Sequence, residues 1–431
     1  MLYDNLGINE YGHLTFCDLD TAELAKEFGT PLYVMDEGRI RARCQEYKKA
    51  MAEFLPQGSR PLFASKALSF QGIYRIMAAE DMGIDVVSVG EIHTAAKAGF
   101  PMENAFFHGN SKTDEAIAYA MDEKVGWFVC DNEWELTAID QQAQKRGICQ
   151  KVLLRLTPGI DPHTHGKINT GRVDSKFGAA IETGQAEALT ILALSKKNID
   201  FMGYHCHIGS QIFEETPFVD AAEIMLKFSA NMAKTHGFTP KILNLGGGMA
   251  VPYKDTDPKI SYRENIRLIG KVIEKTCSDL GLTPPIILME PGRSIVADSG
   301  ITLYTATGTK TIPEFRSYVA VDGGMTDNPR YTLYEAPYTV LPASRMGEKA
   351  ESAYTVAGCC CESGDILQEN VPLPKMERGD LLAVLTTGAY NYAMASNYNR
   401  VPRAPIVMVG EDGPKVVVRR ETLDDLLQYE A

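Results

Sequence analysis

The residues of this chain whose types could do chemistry stand just past, or close, short apolar runs. Lys66 follows Pro61 to Ser65, His205 and His207 close a run that begins at Phe201, and Gly246, Gly247 and Gly248 follow Ile242 to Leu245. The string Glu290-Pro-Gly-Arg293 begins at the end of the run Ile286 to Glu290. A lysine amine desolvated by its neighbours has a depressed pKa and can form a Schiff base with a carbonyl. Consecutive glycines let backbone N–H groups approach a phosphate. They are not a dinucleotide fingerprint, because the third glycine of G-x-G-x-x-G is absent. A carboxylate such as Glu290 can keep a pyridine nitrogen protonated, which makes the ring an electron sink. Each residue also has a plainer reading. A lone lysine snorkels to solvent, three glycines mark a tight turn, and Glu290 could simply pair with Arg293.

The elements that must position these groups argue for a common location. Eight runs read as short strands: Pro61 to Ser65, Ile84 to Val89, Ala105 to His108, Trp127 to Asp131, Lys151 to Leu156, Phe201 to His207, Ile242 to Leu245 and Ile286 to Glu290. The segments between them, such as Gly72 to Met82, Asn132 to Arg146 and Pro217 to His236, carry apolar residues at helical spacing. Alternating strands and helices over this length predict a (β/α)8 barrel, whose reactive groups gather at the C-terminal ends of the strands. Lys66, His207, the glycines and Glu290 all fall at such ends. Taken together they describe a site for pyridoxal phosphate.

After Glu290 the long helices stop. Strand-like runs follow at Ile301 to Thr307, Ser317 to Val321, Ala353 to Gly358, Leu381 to Thr386, Ile406 to Val409 and Lys415 to Arg419, with an earlier one at Leu14 to Cys17. The expected organisation is α/β: a cofactor-binding barrel over residues 30–290, and an all-β C-terminal domain over 291–431 joined by the N-terminal segment 1–29.

Composition narrows the partners. With 431 residues, 45% of them hydrophobic, the chain can bury a large core. A net charge of -13 gives no electrostatic support to nucleic-acid or membrane-surface binding, so the expected partner is a small molecule. Met1 to Tyr11 carry neither a basic region nor an apolar stretch, and no run approaches a membrane span. Nine cysteines, with Cys359, Cys360 and Cys361 adjacent, form no disulfide or zinc pattern and fit a reducing compartment, so a cytoplasmic protein is expected.

Longer strings carry a resemblance. Gly203-Tyr-His-Cys-His-Ile-Gly-Ser-Gln211, Leu245-Gly-Gly-Gly248, Glu290-Pro-Gly-Arg293, Asp322-Gly-Gly-Met-Thr-Asp-Asn-Pro-Arg330, Cys361-Glu-Ser-Gly-Asp365, Gly388-Ala-Tyr-Asn-Tyr392 and Thr170-Gly-Arg-Val-Asp-Ser-Lys-Phe-Gly178 resemble the motifs of diaminopimelate decarboxylases, in that family's order. These enzymes belong to the alanine-racemase-like, fold type III class of pyridoxal-phosphate enzymes.

The resemblance implies decarboxylation of meso-2,6-diaminopimelate to L-lysine and CO2, the last step of lysine biosynthesis. It further implies that Lys66 forms the imine with the cofactor, His207 stacks on its ring and Glu290 faces its nitrogen. Ser210, Gly246, Gly247, Gly248 and Tyr390 would hold the phosphate, with Gly292 and Arg293 also lining the cofactor site. Arg293, Arg330, Tyr334 and Tyr390 would meet the substrate, Glu362 its far ammonium group, and Cys361 would be the proton donor. A homodimer with active sites at its interface is implied as well. A common family version reads Lys-Ala-Asn where this chain has Lys66-Ala67-Leu68.

Other readings compete. His163 and His165 with His205 and His207 could hold a metal, but no carboxylate or cysteine pattern completes a ligand set, and no metal is expected. A racemase would favour a cation at the ring nitrogen, whereas Glu290 is an anion. A decarboxylase of D-lysine or D-ornithine would share the same motifs. A non-catalytic homologue that only binds the cofactor or a partner would need neither Lys66 nor Cys361.

Overall fold

A computed structural model describes residues 1–160 and 174–431. His163, His165 and the Thr170 to Val173 part of the family-like string lie outside the described residues. The chain divides into two compact units, Arg41–Ala250 with Ile260–Ser294, and Met1–Ile40 with Val251–Lys259 and Ile295–Ala431.

The first unit is built on parallel strands β1 (Arg60–Ala64), β2 (Gly83–Val86), β3 (Ala105–Phe107), β4 (Trp127–Cys130), β5 (Gln150–Thr157), β6 (Ile199–His205), β7 (Ile242–Asn244) and β8 (Ile286–Met289). Each pairs with the next, and β8 returns to β1 with Leu288 opposite Arg60, so the sheet closes on itself. This is the expected barrel. Seven of the strands lead into a helix of at least nine residues, among them Gln71–Ala79, Glu133–Arg146, Thr216–His236 and Tyr262–Leu280. Ser88, Thr113, Asn132 and Ser261 each accept a hydrogen bond from the backbone N–H three residues on, which satisfies a donor that the first helical turn would otherwise leave open.

One alternation in the strands decides where the chemistry goes. Leu62, Phe106, Val129, Leu153, Ile242 and Leu288, from six different strands, form one apolar cluster, which strands around a ring can share only by pointing inward. Side chains of a strand share a face at every second residue. Two residues beyond five of these stand His108, Asp131, Arg155, Asn244 and Glu290. An apolar layer therefore fills the lower barrel, and a polar layer follows it at the C-terminal mouth.

The second unit holds a mixed sheet in the order Ile366–Leu373, Ser352–Ala357, Arg316–Val321, Gly300–Ile312, Leu32–Asp36, Ile406–Gly410 and Gly413–Val418. Leu381–Leu385 also pairs with Gly300–Ile312. Leu14 and Phe16 pack with Leu32, Val34, Leu303 and Leu385 in one buried cluster, so N-terminal residues share this unit's core. Two of the longer strands escape the sequence pattern, as do the short Leu6–Ile8, Leu19–Asp20 and Val340–Leu341. Ile366–Leu373 is interrupted by Gln368, Glu369, Asn370 and Pro372, which break apolar alternation. Leu32–Asp36 lies far in sequence from the antiparallel partner it finds in Gly300–Ile312. Among the described residues no helix is long and apolar enough to cross a membrane.

Candidate active site

Lys66 stands in the single 3-10 turn Ser65–Ala67 that leaves β1, so its side chain starts from the barrel mouth. The segment after β8 lies directly against this turn. Ala64 N–H donates to Pro291 O at 3.1 Å, and a Cβ on Gly292 would come within 2.9 Å of the Ala64 Cβ. Only glycine lets the two strand ends approach so closely. Asp85, at the end of β2, is buried, and burial pushes its carboxyl up while His108 and Lys66 pull against the shift.

Glu290 is the centre of the polar layer. Asn244 Nδ2 donates to its Oε1 at 2.7 Å, His108 Nε2 lies 2.9 Å from the same oxygen, and His205 Nε2 lies 3.2 Å from Oε2. Burial alone would raise its carboxyl, but His108 and His205 outweigh burial and hold Glu290 well below the usual carboxylate range. It is an anion in the dry interior. His205 itself is pushed down to about 4 by burial, against the pull of Glu290, so at neutral pH it is an uncharged hydrogen-bond donor. The His108 and His205 rings meet edge to face at 4.8 Å.

The glycine string turns back beneath His207. Gly247 N–H donates to His207 Nδ1 at 3.2 Å, and burial followed by the Lys66 charge keeps that imidazole neutral, well below its ordinary value. A Cβ on Gly247 would meet Glu290 O at 2.1 Å, and Gly248 combines a φ of +117° with Gly209 O only 2.4 Å from where its Cβ would stand. Side chains are excluded there and backbone is left to face a ligand. Beside the loop, Arg293 Nη2 donates to Ser210 Oγ at 3.1 Å, and the guanidinium is buried.

These residues fit pyridoxal phosphate end to end. The glycine loop with Ser210 and Arg293 suits a phosphate, the buried anion Glu290 suits a protonated ring nitrogen, and Lys66 suits an aldehyde. The structure thus brings Lys66, His207, Ser210, Gly246, Gly247, Gly248, Glu290, Gly292 and Arg293 into one unit. Sequence reading missed Asp85, His108, Arg155 and Asn244, although position two beyond an apolar core residue at a strand end would have singled out His108, Arg155 and Asn244.

The remaining expected residues belong to the other unit. Arg330 begins the helix Arg330–Tyr334, with its guanidinium 3.6 Å from the centre of the Tyr253 ring and 5.5 Å from that of Tyr338. Cys361 and Glu362 are both exposed, on a loop anchored by the buried Asp365. Its carboxylate accepts from Met325 N–H at 2.6 Å and from Cys360 N–H at 2.8 Å, which pins the cysteine string to the Asp322 to Arg330 string. Tyr390 takes the left-handed conformation, φ 58°, held by the buried Asn391, whose Nδ2 donates to Thr387 O and Ala389 O and whose Oδ1 accepts from Tyr338. Such strain in a non-glycine residue persists where the surrounding bonds over-determine it.

Known proteins agree with this geometry. Residues 37–297 match the pyridoxal binding domain of the pyridoxal-dependent decarboxylases. The chain is 42% identical over 424 residues to the diaminopimelate decarboxylase of Bacillus subtilis, an alignment that covers 98% of this chain and 96% of the relative. The crystal structure of diaminopimelate decarboxylase from M. jannaschii superposes with a TM-score of 0.92 at 32% identity, covering 99% of this chain and 98% of that one. The same enzyme in co-complex with L-lysine superposes at 0.90, with the same identity and coverage.

Proposed function

This chain belongs to the diaminopimelate decarboxylases of the pyridoxal-dependent decarboxylase family, and from that premise we propose how its own residues carry out the reaction. It converts diaminopimelate to lysine and CO2 with pyridoxal phosphate. The observation that carries the assignment of roles is the buried, anionic Glu290 at a barrel mouth that also holds Lys66 and the glycine loop.

When bound, pyridoxal phosphate supplies a conjugated ring that accepts the electron pair left as CO2 departs. Lys66 would be the amine that anchors the cofactor. Glu290 would keep a proton at the ring nitrogen, and His207 would stack on the ring. Gly246, Gly247 and Gly248, with Ser210 and Tyr390, would bind the phosphate.

No base is needed to release CO2; the carboxylate has only to be held at the correct angle. Arg293, Arg330 and Tyr334 would bind the substrate's carboxylates and so set that angle. Cys361 then delivers its thiol proton to the α-carbon and recovers one from solvent, so the bond lost to carbon is replaced by a bond to hydrogen. Glu362 takes the far ammonium group. Diaminopimelate carries two carboxylates and two ammonium groups, and a pair of arginines with one glutamate meets that demand, whereas a diamine-forming decarboxylase has no second carboxylate to hold.

The working unit is a homodimer, in which the exposed Cys361–Glu362 loop of one copy completes the site of the other, and it works in the cytoplasm. Mass spectrometry of products from meso-diaminopimelate, D-lysine, L-lysine, L-ornithine and L-arginine, offered in parallel to the loaded enzyme, tests the reading. Rapid conversion of meso-diaminopimelate alone supports the two-carboxylate assignment. Faster conversion of another substrate overturns it.

A further inference from the structure

Glu290 has been read so far only as the anion at the ring nitrogen. Its surroundings are more specific than that task alone requires, because the carboxylate is already engaged by neighbours on three strands. Asn244 of β7 and His108 beyond β3 share Oε1, and His205 of β6 meets Oε2. A carboxylate has about four lone-pair sites; the bonds with Asn244 and His205 take two of them, and His108 Nε2 adds a close polar neighbour at 2.9 Å.

We propose that His205, supported by His108, is a positioning residue that sets where the proton between Glu290 and the cofactor's ring nitrogen resides. The inference rests on the placement of Glu290 at that nitrogen. A hydrogen bond donated to a carboxylate stabilises its ionised form and makes it a poorer base. Between a weakly basic Glu290 and a pyridine nitrogen, the proton stays on nitrogen. Without the bond from His205 one of the groups that offset burial is gone, so Glu290 becomes more basic, the proton shifts toward oxygen, and the ring loses power to accept electrons.

The protonation state of His205 suits the task. As an uncharged imidazole whose Nε2 faces Glu290, it carries its proton on that atom, while its Nδ1 is buried and makes no hydrogen bond among the described residues. It adds no positive charge that would compete with the ring nitrogen for the carboxylate. The strand β6 ends at His205, which stands in the polar layer, and His207, two residues past the strand, meets the glycine loop through Gly247 N–H.

The test compares His205→Gln, which can still donate, with His205→Leu, which cannot, and with Glu290→Gln, each loaded with pyridoxal phosphate labelled with nitrogen-15 in the ring. The ring-nitrogen chemical shift reports its protonation independently of turnover. A protonated signal in the wild type and His205→Gln, moving toward the unprotonated position in His205→Leu, is expected. Kcat of His205→Leu should fall roughly 10- to 100-fold, the range for a hydrogen bond to a charged group, with KM within about twofold.

An unchanged shift and kcat in His205→Leu, where Glu290→Gln does alter the shift, would overturn the inference and leave the role of Glu290 intact. An unchanged shift in Glu290→Gln as well would overturn both. If His205→Leu does not fold, the wild-type apoprotein decides through nitrogen-15 labelled histidine. A neutral His205 with its proton on Nε2 at pH 7 supports the inference, and a proton on Nδ1 contradicts it.

Discussion

Asn244 Nδ2 donates to Glu290 Oε1 at 2.7 Å while Asn244 Oδ1 accepts from Gly246 N–H at 2.9 Å, so one buried amide joins the carboxylate to the glycine loop. Both ends of the cofactor site hang on this residue. Replacing Asn244 by Leu keeps the volume but leaves two buried groups without their partner, at a cost of about 1–3 kcal/mol. Affinity for pyridoxal phosphate should fall roughly 10- to 100-fold, read by absorbance titration of the apoprotein. Unchanged affinity would mean that the loop and Glu290 are placed by other contacts.

Asp365 offers the matching prediction for the other unit. Its two oxygens hold Met325 N–H and Cys360 N–H, so Asp365→Ala frees the loop that carries Cys361. If Cys361 is the proton donor proposed, kcat should fall by about tenfold or more, because a donor misplaced by an ångström loses much of its rate. Cofactor absorbance should persist, since the barrel residues are untouched.

Asp327 gives a pH signature. Burial raises its carboxyl from the ordinary 3.8 to about 7. The folded chain then keeps a proton that the unfolded chain releases, so this residue's contribution to stability is complete below the unfolded value and is lost as pH rises toward 7. At about 1.4 kcal/mol per pH unit the loss is at most about 4 kcal/mol. Asp327→Asn should flatten the dependence of Tm on pH between about 4 and 7. A Tm profile that keeps the wild-type slope would show that the carboxyl titrates normally.

The homodimer can be tested by mixing two inactive proteins, Lys66→Ala and Cys361→Ala. If one copy's Cys361 serves the other copy's Lys66, half of the dimers after exchange are mixed and each regains one site, about a quarter of wild-type activity. If both residues act within one chain, mixing restores nothing.

Much of this was legible before any coordinates. The barrel strands were readable because parallel strands buried on both faces form continuous apolar runs, and the groups at their ends stood out by type. The polar layer was not. His108, Arg155 and Asn244 are ordinary residues until closure of β8 onto β1 brings their strands around one axis and Glu290 among them. The Ile366–Leu373 strand was hidden because its pairing with Ser352–Ala357, rather than its own apolar pattern, makes it a strand. Nor could sequence reveal that Asp365 ties two distant strings together, since the bonds are to backbone amides that carry no residue identity.

The central claim is that cofactor and substrate chemistry start from Lys66 at the mouth of the barrel. Reducing the loaded enzyme with borohydride fixes the cofactor to the lysine that holds it, and mass spectrometry of the peptides then identifies that lysine. The added mass should fall on the peptide containing Lys66 and on no other lysine-containing peptide. Label on another lysine, or a loaded enzyme that takes up no label, would contradict it.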